Sequence, residues 1–182
     1  IQTFRDNKKI LHYVDLPLQH ISTSVLKRMA RRTSKEEILT LIEKLRKEIP
    51  DMVLRTSLIV GFPQETQQEF DELYNFIGEI KLDKVGVFTY SKEEGTSAAL
   101  MKGQISQDLK EERRDLIMTK QQEISRKINE NKIGRVYDVL IEGLGEEGYY
   151  GRSYEMAPEI DGLVYIEPTK DLVVGSYVQA EI

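Results

Sequence analysis

MVLRTSLIVGFPQET, residues 52–66, reads as a buried strand that breaks sharply into a capped helix. Val53, Leu54, Leu58, Ile59 and Val60 form a run that is apolar on both faces, the pattern of a strand in a parallel sheet covered by helices. Gly61-Phe62-Pro63 ends it, and Thr66 with Glu69 has the spacing of a capping box that starts the next helix. In parallel α/β folds ligands bind outside the carboxyl ends of strands, so this turn marks where a site should lie. Arg55 interrupts the apolar run. A guanidinium in such a strand must be paired, because an unpaired buried charge is too costly. It either meets a carboxylate such as Asp15 or binds an anionic group of a ligand.

On the amino-terminal side, residues 11–18 (LHYVDLPL) predict a short strand, followed by a helical segment through Val25, Leu26 and Met29. Ser34 and Glu37 predict a second capping box, opening a helix with Ile38, Leu41, Ile42 and Leu45 on one face and ending at Pro50-Asp51. Beyond Thr66, Phe70, Leu73, Tyr74, Ile77 and Ile80 share one side of the next helix. Residues 84–90 (KVGVFTY) then form a third buried strand. This alternation predicts a parallel sheet with right-handed crossovers. Residues 91–102 read as a loop. Residues 108–131 read as a long charged helix packed on the outside of the sheet, with Leu109, Leu116, Ile117, Ile124 and Ile128 along its stripe.

From Arg135 the pattern changes to short strands (136–141, 149–153, 163–166 and 177–182) separated by glycine-rich turns, the signature of a small OB-like all-β barrel. From Ile133 onward three basic residues (Arg135, Arg152, Lys170) face ten acidic ones, a net charge of −7; the whole chain carries −5, leaving +2 on residues 1–132. That break predicts two domains, 1–132 and 133–182. The ends of the chain, a helix end at residues 1–10 and a strand-like alternation at 177–182, lead us to expect a fragment of something longer.

The 182 residues are 40% hydrophobic and 31% charged, an ordinary globular composition, with no run of membrane-spanning length and no signal peptide; the cytosol is the default location. There is no cysteine, which excludes disulfides, thiolate metal sites and cysteine nucleophiles. His12 and His20 are too few nitrogen ligands for a metal site. The polar residues at strand ends are Gln19, His20 and Glu65, then Thr89-Tyr90-Ser91 and Glu93-Glu94. Turn chemistry and helix capping account for the first three on spacing alone.

LPLQH (16–20), VLKRMARR (25–32), LRTSLIVGFPQET (54–66) and GVFTYSKEEGTSAA (86–99) together resemble the radical S-adenosylmethionine (SAM) methylthiotransferases. The resemblance extends over nearly the whole chain. It implies the C-terminal half of a radical SAM (β/α) partial barrel, TIM-like, followed by most of a TRAM barrel. It also implies SAM and two [4Fe–4S] clusters as cofactors. The cluster cysteines lie in segments absent here, and without thiolates neither cluster is held, so this chain alone is expected to be inactive with no metal site of its own. By the same resemblance Gln19 and Arg31 approach the methionine and ribose parts of SAM. Ile59, Gly61 and Phe62 pack on the adenine and offer it backbone hydrogen bonds, and Phe88 lies on the next strand beside it. Plain barrel core is the alternative for Ile59 and Phe88. Arg55 joins this cofactor-binding group as the anion ligand.

Residues 151–162, GRSYEMAPEIDG, resemble the TRAM segment of the ribosomal-protein branch (RimO type), which modifies an aspartate of small-subunit ribosomal protein S-twelve. A barrel of net charge −7 would repel a nucleic-acid backbone and suits a basic protein. Tyr154, Glu155, Glu159 and Asp161 are therefore the expected substrate contacts, with Arg152 an internal pair for Glu155, Glu159 or Asp161. In the family's chemistry a SAM-derived radical takes hydrogen from the aspartate β-carbon and a methylated sulfur is inserted. The other readings are a transfer-RNA adenosine methylthiotransferase and a non-catalytic module that docks a basic protein. No direct nucleic-acid or membrane partner is expected, and the open strand edges of half a barrel predict self-association.

Overall fold

A computed structural model describes residues 1–167 and 171–182. Lys170, counted among the basic residues above, lies outside the described residues. In chain order the elements are α1 (Gln2–Asp6), β1 (Tyr13–Asp15), α2 (Thr23–Arg28), α3 (Lys35–Glu48), β2 (Val53–Val60), α4 (Gln67–Ile80), β3 (Lys84–Thr89), a 3₁₀ turn at Ala98–Leu100, α5 (Gln107–Glu130), β4 (Val136–Gly145), β5 (Gly148–Arg152), β6 (Val164–Ile166) and β7 (Tyr177–Glu181). They form two units: Ile1 with Val14–Arg126, and Gln2–Tyr13 with Lys127–Ile182.

The first unit is built on a three-stranded sheet in the order β1-β2-β3, with β2 and β3 parallel. Both capping boxes form. The Thr66 hydroxyl accepts from the Glu69 amide (3.2 Å) while the Glu69 carboxylate accepts from the Thr66 amide (2.8 Å), and Ser34 and Glu37 repeat the arrangement. After Val53, which is buried, burial along β2 alternates. Leu54, Thr56, Leu58 and Val60 are buried, as are Ile38, Ile42 and Leu45 of α3 and Phe70, Leu73, Phe76 and Ile77 of α4. Arg55, Ser57 and Ile59 are only half-buried. The strand is thus covered on one face, not on both as its apolar run suggested. Arg55 and Ser57 mark the second face, and Ile59 masked that alternation in the sequence. Lys84, Gly86 and Phe88 of β3 stand in register with Arg55, Ser57 and Ile59 on this second face.

The first strand is shorter than expected because Pro17 cannot donate to a ladder. The Thr56 hydroxyl replaces the missing rung, donating to the Leu16 carbonyl (2.6 Å) and accepting from the Leu18 amide (3.2 Å). The chain rejoins β2 at Gln19, whose left-handed backbone (φ 69°) lets its amide reach the Ser57 carbonyl (2.9 Å) while its carbonyl accepts from Ile59 (2.8 Å).

The long helix spans nearly the expected residues, and Ile117 and Ile124 of the expected stripe are buried, but Leu116 is not and polar residues share the inward face. Lys110, Arg113, Ile117, Gln121 and Ile124 face inward, whereas Leu116 is 44% exposed. Their spacing of three and four residues defines one helical face. Its polar members are satisfied by carbonyls at element ends: Lys110 donates to Tyr90 (2.8 Å), Arg113 to Glu65 (3.2 Å) and Gln121 to Leu82 (3.0 Å).

The second unit is an antiparallel four-stranded sheet, β6-β5-β4-β7, the small barrel sheet expected from the glycine-punctuated strands. The β4–β5 register shifts between Ile141 and Gly143. The Tyr150 ring lies directly over Gly143, where a Cβ would stand 2.4 Å from the Tyr150 hydroxyl. At Gly151 an added Cβ would come within 2.0 Å of the Leu140 carbonyl, so that site admits no side chain.

Replacing Thr66 with alanine removes half of one capping box and should cost about 1 kcal/mol, read as a lower denaturation midpoint at unchanged m-value. Among the described residues β1 and β3 close the first sheet and β6 and β7 the second, each with a strand neighbour on one side. Light scattering should therefore show concentration-dependent association of the chain; a monodisperse monomer at all concentrations would contradict it.

Candidate ligand site at the end of the central strand

At the carboxyl end of β2 the backbone turns at Gly61 with φ 73°, a conformation that glycine adopts without penalty. The buried carboxylate of Glu65 fixes this turn. Its Oε2 accepts from the amides of Gly61 (2.8 Å) and Phe62 (3.3 Å), and its Oε1 accepts from Arg113 (2.8 Å). Two oxygens receiving N–H donors are what an ionised carboxylate provides. Burial pushes the Glu65 carboxyl upward, against the pull of Arg113 and the two amides. Lys110 packs across the turn so closely that a Cβ on Gly61 would meet its Cγ at 2.2 Å.

His20 lies fully buried beside this carboxylate, its Nε2 3.8 Å from Glu65 Oε2. Its Nδ1 accepts from the Ser22 amide (2.9 Å), so the neutral ring carries its proton on Nε2. Burial lowers its pKa to about 4. Phe62 is buried in a cluster with Val25 and Tyr90, and its ring meets Tyr90 edge-on at 5.2 Å.

Arg55, Ile59 and Phe88 lie on the half-exposed face of β2 and β3, Gln19 bridges to Leu58 beside it, and Gly61 is buried beneath Lys110 at the end of β2. Ile59 and Phe88 stand in register, and Phe88 is 57% exposed, an apolar wall open to a ligand. Arg55 takes the first of its two alternatives, its Nε donating to Asp15 at 3.1 Å. Phe62 contributes its backbone to the turn while its ring faces the core. Arg31 lies exposed just beyond α2, its amide closing that helix onto Leu26. Lys110 and Arg113 also belong to this turn, although the apolar stripe of α5 does not include them. Their spacing from Ile117 and Ile124 is the signal that placed them on the inward face.

In the second unit Tyr154 stacks on Tyr137 at 6.4 Å. Glu155 is buried, paired with Lys132 and accepting from the Tyr137 hydroxyl (3.1 Å). Asp161 accepts from the Tyr13 hydroxyl and from the Ala157 amide (2.9 Å). Glu159 is exposed, with φ 65°. Arg152 is internally paired, but with Glu142, because β5 lies against β4 and brings the two side chains into a fork (Nε to Oε2, 2.8 Å).

A family model for the Radical SAM superfamily matches residues 1–77, and one for the TRAM domain matches residues 133–182. Over all 182 residues the chain is 56% identical to "Ribosomal protein uS12 methylthiotransferase RimO" of Clostridium botulinum (strain Loch Maree / Type A3). It is 60% identical over 161 residues to the protein of that name from Clostridium perfringens (strain ATCC 13124). The chain belongs to the RimO-type radical SAM methylthiotransferases. It spans 41% of the length of the Clostridium botulinum relative and, over 88% of its own residues, 36% of the Clostridium perfringens one. Among solved structures, Escherichia coli coproporphyrinogen III oxidase (HemN), described as a radical SAM enzyme, matches 78% of this chain and 30% of that one at 18% identity and TM-score 0.47, a likeness too slight to argue from. Radical SAM methylthiotransferases use SAM and iron–sulfur clusters, and this chain, without cysteine, supplies no thiolate to a cluster. Among the described residues no helix is long and apolar enough to cross a membrane.

The buried His20 makes stability depend on pH. Below 6.5 the unfolded chain protonates this histidine while the folded chain keeps it neutral down to about 4, so stability falls as pH falls through that window. The loss should reach up to about 3 kcal/mol. Glu65 acts in the opposite sense, its raised folded pKa adding stability as pH falls. Denaturation of wild type and His20→Gln at pH 7 and 4.5 separates the two; the variant should lose less stability than wild type.

Proposed function

We propose that the whole protein to which this chain belongs transfers a methylthio group to an aspartate of ribosomal protein uS12. The observation that carries this reading is the identity of 55–60% to relatives bearing that activity in their names. Charge supports the substrate class. Residues 133–182 hold ten acidic and three basic residues, a surface that favours a basic protein and disfavours a phosphate backbone. The proposed division is a barrel segment, 1–132, and a TRAM domain, 133–182, in a cytosolic enzyme with no direct nucleic-acid contact.

The proposed cofactors are SAM and two [4Fe–4S] clusters. The clusters do not fit this chain: it has no cysteine, and among the described residues no group of three His, Asp or Glu side chains could hold a metal ion. The adenosine end of SAM does fit. Ile59 and Phe88 offer an open apolar wall, and the amides of Gly61 and Phe62 are already taken by Glu65, so a base edge at this turn would meet carbonyl oxygen. When bound, SAM supplies the methyl group and the hydrogen-abstracting species of the family's chemistry. This chain's part is to hold the base against Ile59, Gly61, Phe62 and Phe88, with Gln19 and Arg31 toward the methionine and ribose. In the second unit Glu159 makes the outward contact with substrate, on a loop whose shape Tyr154, Glu155 and Asp161 maintain through their internal bonds.

The test uses the full-length protein with its clusters reconstituted, supplied with SAM and reductant and offered uS12 and transfer RNA separately. Mass spectrometry should find one methylthio group added to an aspartate of uS12 and none on transfer RNA. Methylthiolated adenosine with unmodified uS12 would replace this reading with the nucleic-acid one.

A further inference from the structure

The four-stranded sheet of the second unit has unlike faces. Val139, Ile141 and Gly151 are buried, and Val178, in register with Val139, shares that covered face. The alternate residues point the other way. There Tyr177 pairs with Leu140, Gln179 with Asp138 and Glu181 with Val136. Tyr177 is 70% exposed, and Asp138, Gln179 and Glu181 are exposed as well. Asp138 stands diagonally from both Tyr177 and Glu181, so these three alternate between β4 and β7 at about 7–8 Å per step. Elsewhere in this unit Glu155 pairs with Lys132 and Glu142 with Arg152, whereas Asp138 and Glu181 have no ion-pair partner among the described residues. Arg152, in register with Leu140 on the same outer face, is neutralised there by both oxygens of Glu142.

The result is an exposed aromatic ring at one end of a run of carboxylates, all carried on paired strands. It suits a basic side chain, whose cation lies on the ring while its N–H groups donate to the carboxylate beside it. An extended chain repeats its side chains on one face about every 7 Å, close to the spacing of this run. Resting on the methylthiotransferase reading above, we propose that the outer face of β4 and β7, with Tyr177, Asp138 and Glu181, docks an extended segment of the basic protein substrate that carries arginine or lysine at alternate positions. One guanidinium meets Tyr177 and Asp138 together, and the next basic side chain on the same side of the segment meets Glu181. Charge complementarity selects a protein over a nucleic acid here. A tyrosine stacks on a base as readily as on a guanidinium, but a phosphate backbone would run against the two carboxylates. The surface is distinct from the Glu159 loop, because it is built on strands whose register fixes the spacing of its groups.

Equilibrium binding to uS12 and to transfer RNA is measured with the full-length, cluster-loaded protein at low and at moderate salt. Tyr177→Thr should weaken uS12 binding about two- to fivefold, the worth of one exposed cation–π contact. Asp138→Asn made together with Glu181→Gln should weaken it about fivefold at low salt and flatten its salt dependence. All three side chains are exposed, so these variants should keep the wild-type melting temperature. The control is Glu146→Gln with Glu147→Gln, which removes the same charge from the exposed turn between β4 and β5 and should leave uS12 binding within about twofold. Equal weakening by the two charge pairs would assign the effect to net charge and overturn the proposal. Sheet-face variants that bind uS12 as wild type does would overturn it as well, with the methylthiotransferase reading left standing. Transfer-RNA binding by wild type that Tyr177→Thr abolishes would make this a base-stacking surface, and the proposal fails. A wild-type protein that does not bind uS12 at all removes the reading on which the surface rests.

Discussion

The first unit depends on one buried carboxylate. Glu65 accepts the amides of Gly61 and Phe62 and the guanidinium of Arg113. Each of those amides, left unsatisfied in the interior, would cost about 1–3 kcal/mol. The turn after β2 therefore keeps its left-handed glycine only while that carboxylate is in place. The same ion explains why α5 buries a cation. Arg113 has a counter-ion to meet, and its inward face brings Lys110 across the glycine to the Tyr90 carbonyl. His20, neutral and buried, closes the cluster without adding a second charge next to Arg113. Strand end, helix face and turn are thus coupled electrostatically at the place where a parallel sheet binds its ligand.

Around that cluster the sheet is asymmetric. One face of β2 is buried, as are the apolar faces of α3 and α4. The other carries Arg55, Ser57 and Ile59 beside Lys84, Gly86 and Phe88, half-covered or exposed. The exposed Phe88 ring lies next to Gly86, which the Arg55 guanidinium also approaches. The second unit follows a different logic. Its acidic surplus is large, yet Glu142, Glu155 and Asp161 are each engaged by Arg152, Lys132 or Tyr13. The loop at 153–161 is held internally, and Glu159 is the member of that acidic group left on the outside.

Much of the fold is legible in the chain because its signals are local. Capping boxes need only a hydroxyl and a carboxylate three residues apart, and both formed as read. The strand, the glycine turn and the switch to short strands after Arg135 are equally local patterns. Local pattern does not decide where a long-range partner does. Leu116 belonged to the apparent stripe of α5 but points outward, while Lys110 and Arg113 turn inward toward carbonyls and a carboxylate far away in sequence. Arg152 could have chosen among several acids, and strand pairing gave it Glu142.

Within the candidate site, the residue types were visible and their grouping was not. MVLRTSLIVGFPQET by itself determined a strand, a glycine turn and a capped helix, because these follow from local sterics and hydrogen bonding within a few residues. That Arg55 would pair with Asp15 and reach toward Gly86, and that Glu65 would clamp the turn against Arg113, only the tertiary structure decided. Charges and backbone amides choose partners by proximity in space, and register and helix rotation set that proximity.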